Sequence, residues 1–315
     1  MEMRQLGQSN LQIAPLVFGG NVFGWTADEA TSHRLLDMFV AAGFNAIDTA
    51  DVYSIWADGH QGGESETIIG TWLKKRGGRD NVIIATKVGM DMGGGSKGLS
   101  KAYIMKAVEA SLRRLQTDHI DLYFSHRDDD TVSQAETLEA YAHLVEQGKI
   151  RVIGASNFSA GRLTEALDLA AKQGYPRYEV VQPCYNLYDR SEYEGELQQL
   201  CLQRQLGMIS YFSLASGFLT GKYRSKQDLQ GRERGEDVEK YLDARGQRIL
   251  QALDDVAAKH SVTPAQVALA WLLKRRGLTA PIASATGESQ LQQLLAGAQL
   301  DLDDKSVRQL TEAGE

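Results

Sequence analysis

Eight short, unbroken apolar runs recur along the chain, at 16–20, 45–50, 82–88, 120–126, 150–157, 180–186, 208–215 and 280–285. They do not alternate apolar with polar residues, which is the pattern of parallel strands buried on both faces. Between them lie stretches with helical spacing, at 28–42, 100–116, 135–146 and 159–173. In the first, Leu35, Leu36, Phe39 and Val40 form one stripe. Ser100 is a candidate N-cap. Gly43, Gly148, Gly174 and Gly207 follow helical runs where a C-terminal cap is expected. Strand then helix, repeated eight times at a spacing of roughly 35 residues, predicts a (β/α)8 TIM barrel. A doubly wound open sheet is the alternative. Residues 1–13 predict a short hairpin turning at Gly7–Asn10 ahead of the barrel.

The chain has 315 residues and a net charge of −7, which suits one domain over 1–315 and opposes non-specific nucleic-acid binding. The two cysteines, Cys184 and Cys201, make no disulfide framework or zinc spacing. No apolar h-region opens the chain and no run reaches membrane-spanning length. These features lead to the expectation of a cytoplasmic protein with no metal, nucleic-acid or membrane partner. Oligomeric state is left open, monomer or homo-oligomer.

Active sites of α/β barrels form at the C-terminal ends of the strands. The polar residues there are Asp48 with Tyr53 beyond it, Lys87, His126, Ser156-Asn157, Gln182, and Tyr211 with Ser213. Singly, each has a plain reading: Asp48 as a loop cap, Lys87 as a surface lysine, His126 as a core histidine, Tyr53 as a loop aromatic. Together they form a workable acid catalyst. Hydride delivery to a carbonyl leaves an alkoxide that needs a proton. A free tyrosine, with a pKa of about 10, gives one up reluctantly near neutrality. An ammonium at Lys87 would lower that pKa, Asp48 would hold the ammonium charged, and His126 would orient the substrate oxygen.

The segments DTADVY (48–53), TK (86–87), SHR (125–127), GKIRVIGASNFS (148–159), QPCYN (182–186) and YFSLASGFLTGKY (211–223) resemble the aldo-keto reductases in order and spacing, and LGQSNLQIAPLVFGG resembles their N-terminal hairpin and first strand. The resemblance implies an NADP(H)-dependent oxidoreductase, or alcohol dehydrogenase in reverse, that interconverts a small-molecule aldehyde or ketone and an alcohol. Its catalytic residues would be Tyr53, Asp48, Lys87 and His126. Ser156, Asn157 and Gln182 would hold the nicotinamide carboxamide, and Tyr211 would stack on the ring. Ser213, Leu214, Gly217, Leu219 and Lys222 would line the pyrophosphate. Lys222 also has a physical case of its own, a cation beside small residues that let backbone approach a phosphate. The resemblance also admits a cofactor-binding regulatory subunit, as in the potassium-channel β subunits.

At the adenosine end, Ser284, Thr286 and Gln290 could bond a 2′-phosphate but carry no charge, and Leu294 stands where an asparagine is expected. The resemblance nevertheless implies NADPH, the family's usual cofactor, with NADH open. Arg275 and Arg276 read as a solvated helix end. Phe23, Trp25, Trp56 and Arg127 are candidate substrate contacts, although Arg127 could instead pair with the acids at 128–130. Gly93–Gly98 fits G-x-G-x-x-G but follows the third strand, so it reads as a flexible loop. Trp72, Trp271 and Cys184 read as core. The charged stretch 224–248 reads as a solvated loop and surface helix, with a lid role open.

Overall fold

A computed structural model describes residues 1–231, 233 and 235–315. A two-stranded antiparallel hairpin, β1 (Arg4–Gln5) and β2 (Gln12–Ile13), precedes a closed parallel barrel. The barrel strands are β3 (Val17–Gly19), β4 (Ala46–Asp48), β5 (Ile83–Val88), β6 (Ile120–Ser125), β7 (Ile150–Ser156), β8 (Tyr178–Gln182), β9 (Gly207–Ser210) and β10 (Ala280–Ala283). β10 pairs with both β3 and β9, which closes the ring. The helices include α1 (Glu29–Ala41), α2 (Glu64–Arg76), α3 (Lys101–Leu115), α4 (Gln134–Glu146), α5 (Ala160–Gln173) and α6 (Glu196–Arg204). They continue with α7 (Gly235–Glu239), α8 (Ala244–His260), α9 (Pro264–Leu273), α10 (Glu288–Gly297) and α11 (Asp304–Ala313). The architecture is a (β/α)8 TIM barrel behind a small N-terminal hairpin. Among the described residues no helix is long and apolar enough to cross a membrane.

Local chemistry sets the element ends. The Ser100 side chain accepts from the Tyr103 N–H and starts α3. Gly174 ends α5 with φ 71°. Gly207 departs from its expected role. The cap after α6 is Gln205 at φ 54°, and Gly207 instead opens β9, where a Cβ would lie 2.7 Å from the Gly7 nitrogen of the hairpin. All the barrel strands except β5 stop one to five residues before their apolar runs end. Asn157 turns left-handed after β7, Pro183 removes a donor after β8, and Phe212 and Ala215 have positive φ after β9. The Gly93–Gly98 stretch is a loop in which Gly93, Gly94 and Gly95 all have positive φ, and α3 begins only at Lys101. It is not the tight strand-to-helix turn of a dinucleotide fingerprint.

The core has two layers. Outside the barrel, strands and helices bury residues such as Phe18, Phe39, Trp72, Tyr123, Tyr141 and Trp271. Inside it, Val17, Ala46, Ala85, Leu122, Phe124, Val152, Val180, Ile209 and Ile282 pack on Leu6, Leu11 and Ile13 of the hairpin, which plugs the N-terminal mouth. The 224–248 stretch contains a turn of 3-10 helix (Lys226–Leu229), α7 and the start of α8. Its Val238 and Tyr241 are buried, and Tyr241 stacks on Phe218 at 5.3 Å, so the segment is anchored as well as charged. Arg232 and Arg234 lie outside the described residues.

Glycine 154 tests the interior packing. A Cβ there would come within 2.3 Å of the Phe124 ring, whereas one at Gly161, inside α5, meets nothing within 4 Å. Gly154→Ala should destabilise the fold by about 2 kcal/mol or more, and Gly161→Ala should stabilise it by about 0.5 kcal/mol. Urea unfolding of the two variants checks this. Equal midpoints would contradict the packing.

Candidate active site

Side chains alternate along a strand, so every second residue points into the barrel. Two residues beyond the interior positions Val17, Ala46, Ala85, Phe124, Val180, Ile209 and Ile282 stand Gly19, Asp48, Lys87, His126, Gln182, Tyr211 and Ser284. Ser156 lies four beyond Val152, with Gly154 making room for Phe124. The polar strand ends are thus the last inward layer of the barrel, at its C-terminal mouth.

Lys87 is fully buried, and its three donors are all used. Its Nζ donates to Asp48 Oδ2 at 2.6 Å, to the Thr49 carbonyl at 2.8 Å and to the Tyr53 hydroxyl at 2.8 Å. The Tyr53 hydroxyl in turn donates to Asp48 Oδ2 at 3.2 Å. The other Asp48 oxygen accepts from Gln182 Nε2 at 2.9 Å. Burial draws the Lys87 pKa down, while Asp48 pulls it back up. The expectation that the ammonium makes Tyr53 more acidic is not met in this state. Burial, then the Asp48 carboxylate, pushes the phenol well above its ordinary value. Tyr53 therefore keeps its proton. The Tyr53–Asp48 contact is the longest of these bonds and the one a substrate oxygen would have to displace.

His126 continues β6 past Ser125, and its ring lies edge-on to Tyr53 at 6.0 Å. Burial, with Lys87 and Arg127 adding to it, holds its pKa well below the ordinary histidine value, so the imidazole is neutral. Its Nδ1 is buried without a hydrogen-bond partner.

The four residues expected to hold a nicotinamide come together and brace one another. Ser156 Oγ donates to the Gln182 carbonyl at 2.8 Å. Asn157 Nδ2 donates to the His126 carbonyl, and Asn157 Oδ1 accepts from the Tyr211 hydroxyl, both at 2.8 Å. The 211–222 segment is a strained turn, with positive φ at Phe212, Ala215, Ser216 and Gly217. Lys222 is exposed, and its side chain lies over Gly217, where a Cβ would sit 3.2 Å from Cε and 3.4 Å from Nζ. Two expected pyrophosphate residues serve the turn itself. Leu219 is fully buried and its N–H donates to the Leu214 carbonyl, and the buried Ser213 hydroxyl donates to the Ser210 carbonyl.

At the other end, Thr286 and Gln290 are exposed and bonded to each other, and Ser284 donates to Asn21 Oδ1 at 2.6 Å. Leu294 is buried. Arg275 is not a solvated helix end: its guanidinium reaches Glu194 at 3.1 Å and lies over Trp271. At the substrate rim, Trp56 is 47% exposed, close to Tyr53, and edge-to-face with Trp25. Phe23 is a correction. It is fully buried, packed edge-on against Phe18, and cannot touch a substrate. Arg127 is exposed, and the neighbouring Asp128 is taken by Arg162 at 2.7 and 3.0 Å. Trp72, Trp271 and Cys184 are buried as expected. Burial pushes the Cys184 thiol up to about 12, which leaves it unreactive.

Residues 15–315 match the model of the aldo/keto reductase family. The chain belongs to that family. It is similar to protein tas of Escherichia coli (strain K12), with 32% identity over 98% of this chain and 96% of that protein. It is similar to the uncharacterized oxidoreductase YrpG of Bacillus subtilis (strain 168), with 33% identity over 99% and 95%. A probable voltage-gated potassium channel subunit beta of Arabidopsis thaliana is 32% identical over 93% and 90%. Membership of the aldo/keto reductases supports an oxidoreductase built on this barrel.

Four residues near the site went unnoticed in the sequence. Asn21 accepts from Ser284 through its side-chain Oδ1 and Thr49 accepts from Lys87 through its backbone carbonyl, contacts across the fold that residue type does not announce. Phe212 is exposed at φ 51°, and its strain is visible only in the fold. Asp51 lies inside DTADVY, three residues after Asp48, which was the available clue.

The Tyr53 environment predicts a titration. A raised pKa means that the protonated form persists to higher pH, so ionisation of Tyr53 in the free protein should begin only above about pH 10. Tyrosinate absorbance of the wild type minus that of Tyr53→Phe should stay flat below that pH. A step near neutrality would contradict the arrangement.

Proposed function

We propose that this protein interconverts an aldehyde or ketone and an alcohol with NADP(H), with Tyr53 as the general acid or base. The observation that carries the reading is the buried ammonium of Lys87, within 2.8 Å of both the Tyr53 hydroxyl and the Asp48 carboxylate at the barrel mouth. The residues fit a nicotinamide dinucleotide. Gln182, Asn157 and Ser156 gather amide and hydroxyl groups beside Tyr211. A side chain at Gly217 would crowd the end of Lys222, so bare backbone and a cation stand together as a phosphate needs. Asn157, Gln182, Ser156 and Tyr211 would hold the nicotinamide, and Lys222 with the turn around Ser213, Leu214, Gly217 and Leu219 the pyrophosphate. Ser284, Thr286 and Gln290 would meet the adenosine end.

A reduced nicotinamide held there would supply the hydride that the carbonyl carbon needs. Tyr53 gives its proton to the carbonyl oxygen. Lys87 steadies the phenolate that remains, and Asp48 keeps Lys87 charged and in place. Neutral His126 orients the oxygen without adding a competing proton source. Trp25 and Trp56 offer an aromatic wall to an apolar or ring-bearing substrate, and Arg127 stands at the rim. The likeness to potassium-channel β subunits gives weak support to the alternative, a cofactor-binding regulatory subunit. The complete set of Tyr53, Asp48, Lys87 and His126 favours the enzyme.

Calorimetric titration with NADPH and NADH, followed by turnover on a panel of aldehydes and ketones, tests the reading. NADPH should bind more tightly than NADH, by less than about hundredfold, because Thr286 and Gln290 offer hydrogen bonds without charge. Tyr53→Phe should bind cofactor as the wild type does and lose about 10²- to 10⁴-fold in turnover. Near-normal turnover in that variant would overturn the role of Tyr53. Binding of neither cofactor would overturn the reading as a whole.

A further inference from the structure

A second group of buried charges lies behind the Lys87 cluster and takes no part in the reaction as described. Asp51 and Glu66 are 2% and 0% exposed. Glu66 accepts from Thr86 Oγ1 and from Arg114 Nε, each at 2.6 Å. With Asp48 paired to Lys87 and Glu66 paired to Arg114, both cations have their carboxylate. Asp51 has none, and its Oδ1 is buried without a hydrogen-bond partner. An ionised carboxylate with a bare oxygen in such a place is strongly disfavoured. Burial, reinforced by Glu66, pushes the Asp51 carboxyl up to about 8, with Arg114, the Val52 N–H and Lys87 pulling the other way.

The groups facing Asp51 come from five elements: Lys87 on β5, Glu66 on α2, Arg114 and Tyr103 on α3, Tyr123 on β6 and Tyr141 on α4. Burial pushes the phenols upward, Tyr103 to about 12 and Tyr123 and Tyr141 well above 10, so they stay neutral while Asp51 titrates. Asp51 is also tied to the strand that carries Lys87, since its N–H donates to the Lys87 carbonyl at 3.3 Å.

We propose that Asp51 is a positioning residue for carbonyl reduction, a buried acid whose proton leaves the field of Lys87 directed at Tyr53 and whose ionisation slows the reaction. The inference rests on the reading of Tyr53 as donor and Lys87 as its support. The sign follows from charge. Ionised Asp51 favours the protonated form of Lys87 and opposes the ammonium's field at the phenol oxygen, so a phenolate forms less readily. Because the pKa is raised, the active, neutral form is present below about pH 8 and is lost as pH rises through that value.

Two measurements on the whole protein test this. The first is kcat for reduction against pH, at saturating NADPH and carbonyl. Wild type should show an alkaline limb with a midpoint near pH 8 and a fall of roughly three- to tenfold. Asp51→Asn, which has the shape of the protonated acid, should lose the limb. Glu66→Gln removes one repulsive charge and frees Arg114, so the limb should move to lower pH. The second is the infrared carbonyl stretch of a protonated carboxylic acid, followed against pH without turnover. It should disappear with the same midpoint in wild type and in Tyr53→Phe, and be absent from Asp51→Asn. A missing band overturns the proton on Asp51, whatever Tyr53 proves to do. A band that titrates while Asp51→Asn keeps the wild-type limb overturns the link to Lys87. An active Tyr53→Phe enzyme would instead sink the donor reading and leave the infrared result to judge Asp51's proton alone.

Discussion

A lysine ammonium held entirely out of water is the constraint on which the site depends. Burying such a charge is expensive unless it is paired and every donor is met. Lys87 meets both conditions within 2.8 Å, through a carboxylate, a backbone carbonyl and a phenol. The three acceptors belong to β4 and the loop beyond it, and the donor to β5. Their spacing is set by the parallel register that pairs Asp48 with Ala85 and Lys87 with Phe124, and by the Thr49 N–H donating to the Ala85 carbonyl. Removing Asp48 would leave the ammonium uncompensated at a cost of about 3–5 kcal/mol, so the barrel and the cluster stabilise one another.

The same burial has a chemical consequence. A phenol beside a carboxylate in a dry site keeps its proton, and a histidine beside an ammonium stays neutral. The site thus keeps a protonated phenol at Tyr53 beside a neutral ring at His126. The outer face repeats the logic. Glu66 and Arg114 neutralise each other, and the unpaired Asp51 is left to hold a proton.

Much of this was legible in the residues. Continuous apolar runs separated by helical spacing are enough for a parallel sheet, because only strands covered on both faces tolerate such runs, and the eightfold repeat favours a closed barrel over an open one. Period-two alternation then carries Asp48, Lys87, His126 and Gln182 to one mouth. What escaped depends on three-dimensional facts. Phe23 looked like a rim aromatic, yet the 3-10 turn after β3 folds it under Phe18. Gly207 looked like a helix cap, yet the hairpin needs its bare backbone. The acidity of Tyr53 could not be read from the presence of Lys87, because the sign turns on burial and on the position of Asp48.

In the function proposed, the ammonium of Lys87 serves proton transfer rather than cofactor binding. Single-turnover hydride transfer in Lys87→Met, read by the loss of dihydronicotinamide absorbance alongside the NADPH dissociation constant, tests it most directly. The dissociation constant should stay within about threefold of wild type and hydride transfer should slow by about 10²-fold or more. Hydride transfer at the wild-type rate in a folded Lys87→Met protein would contradict it.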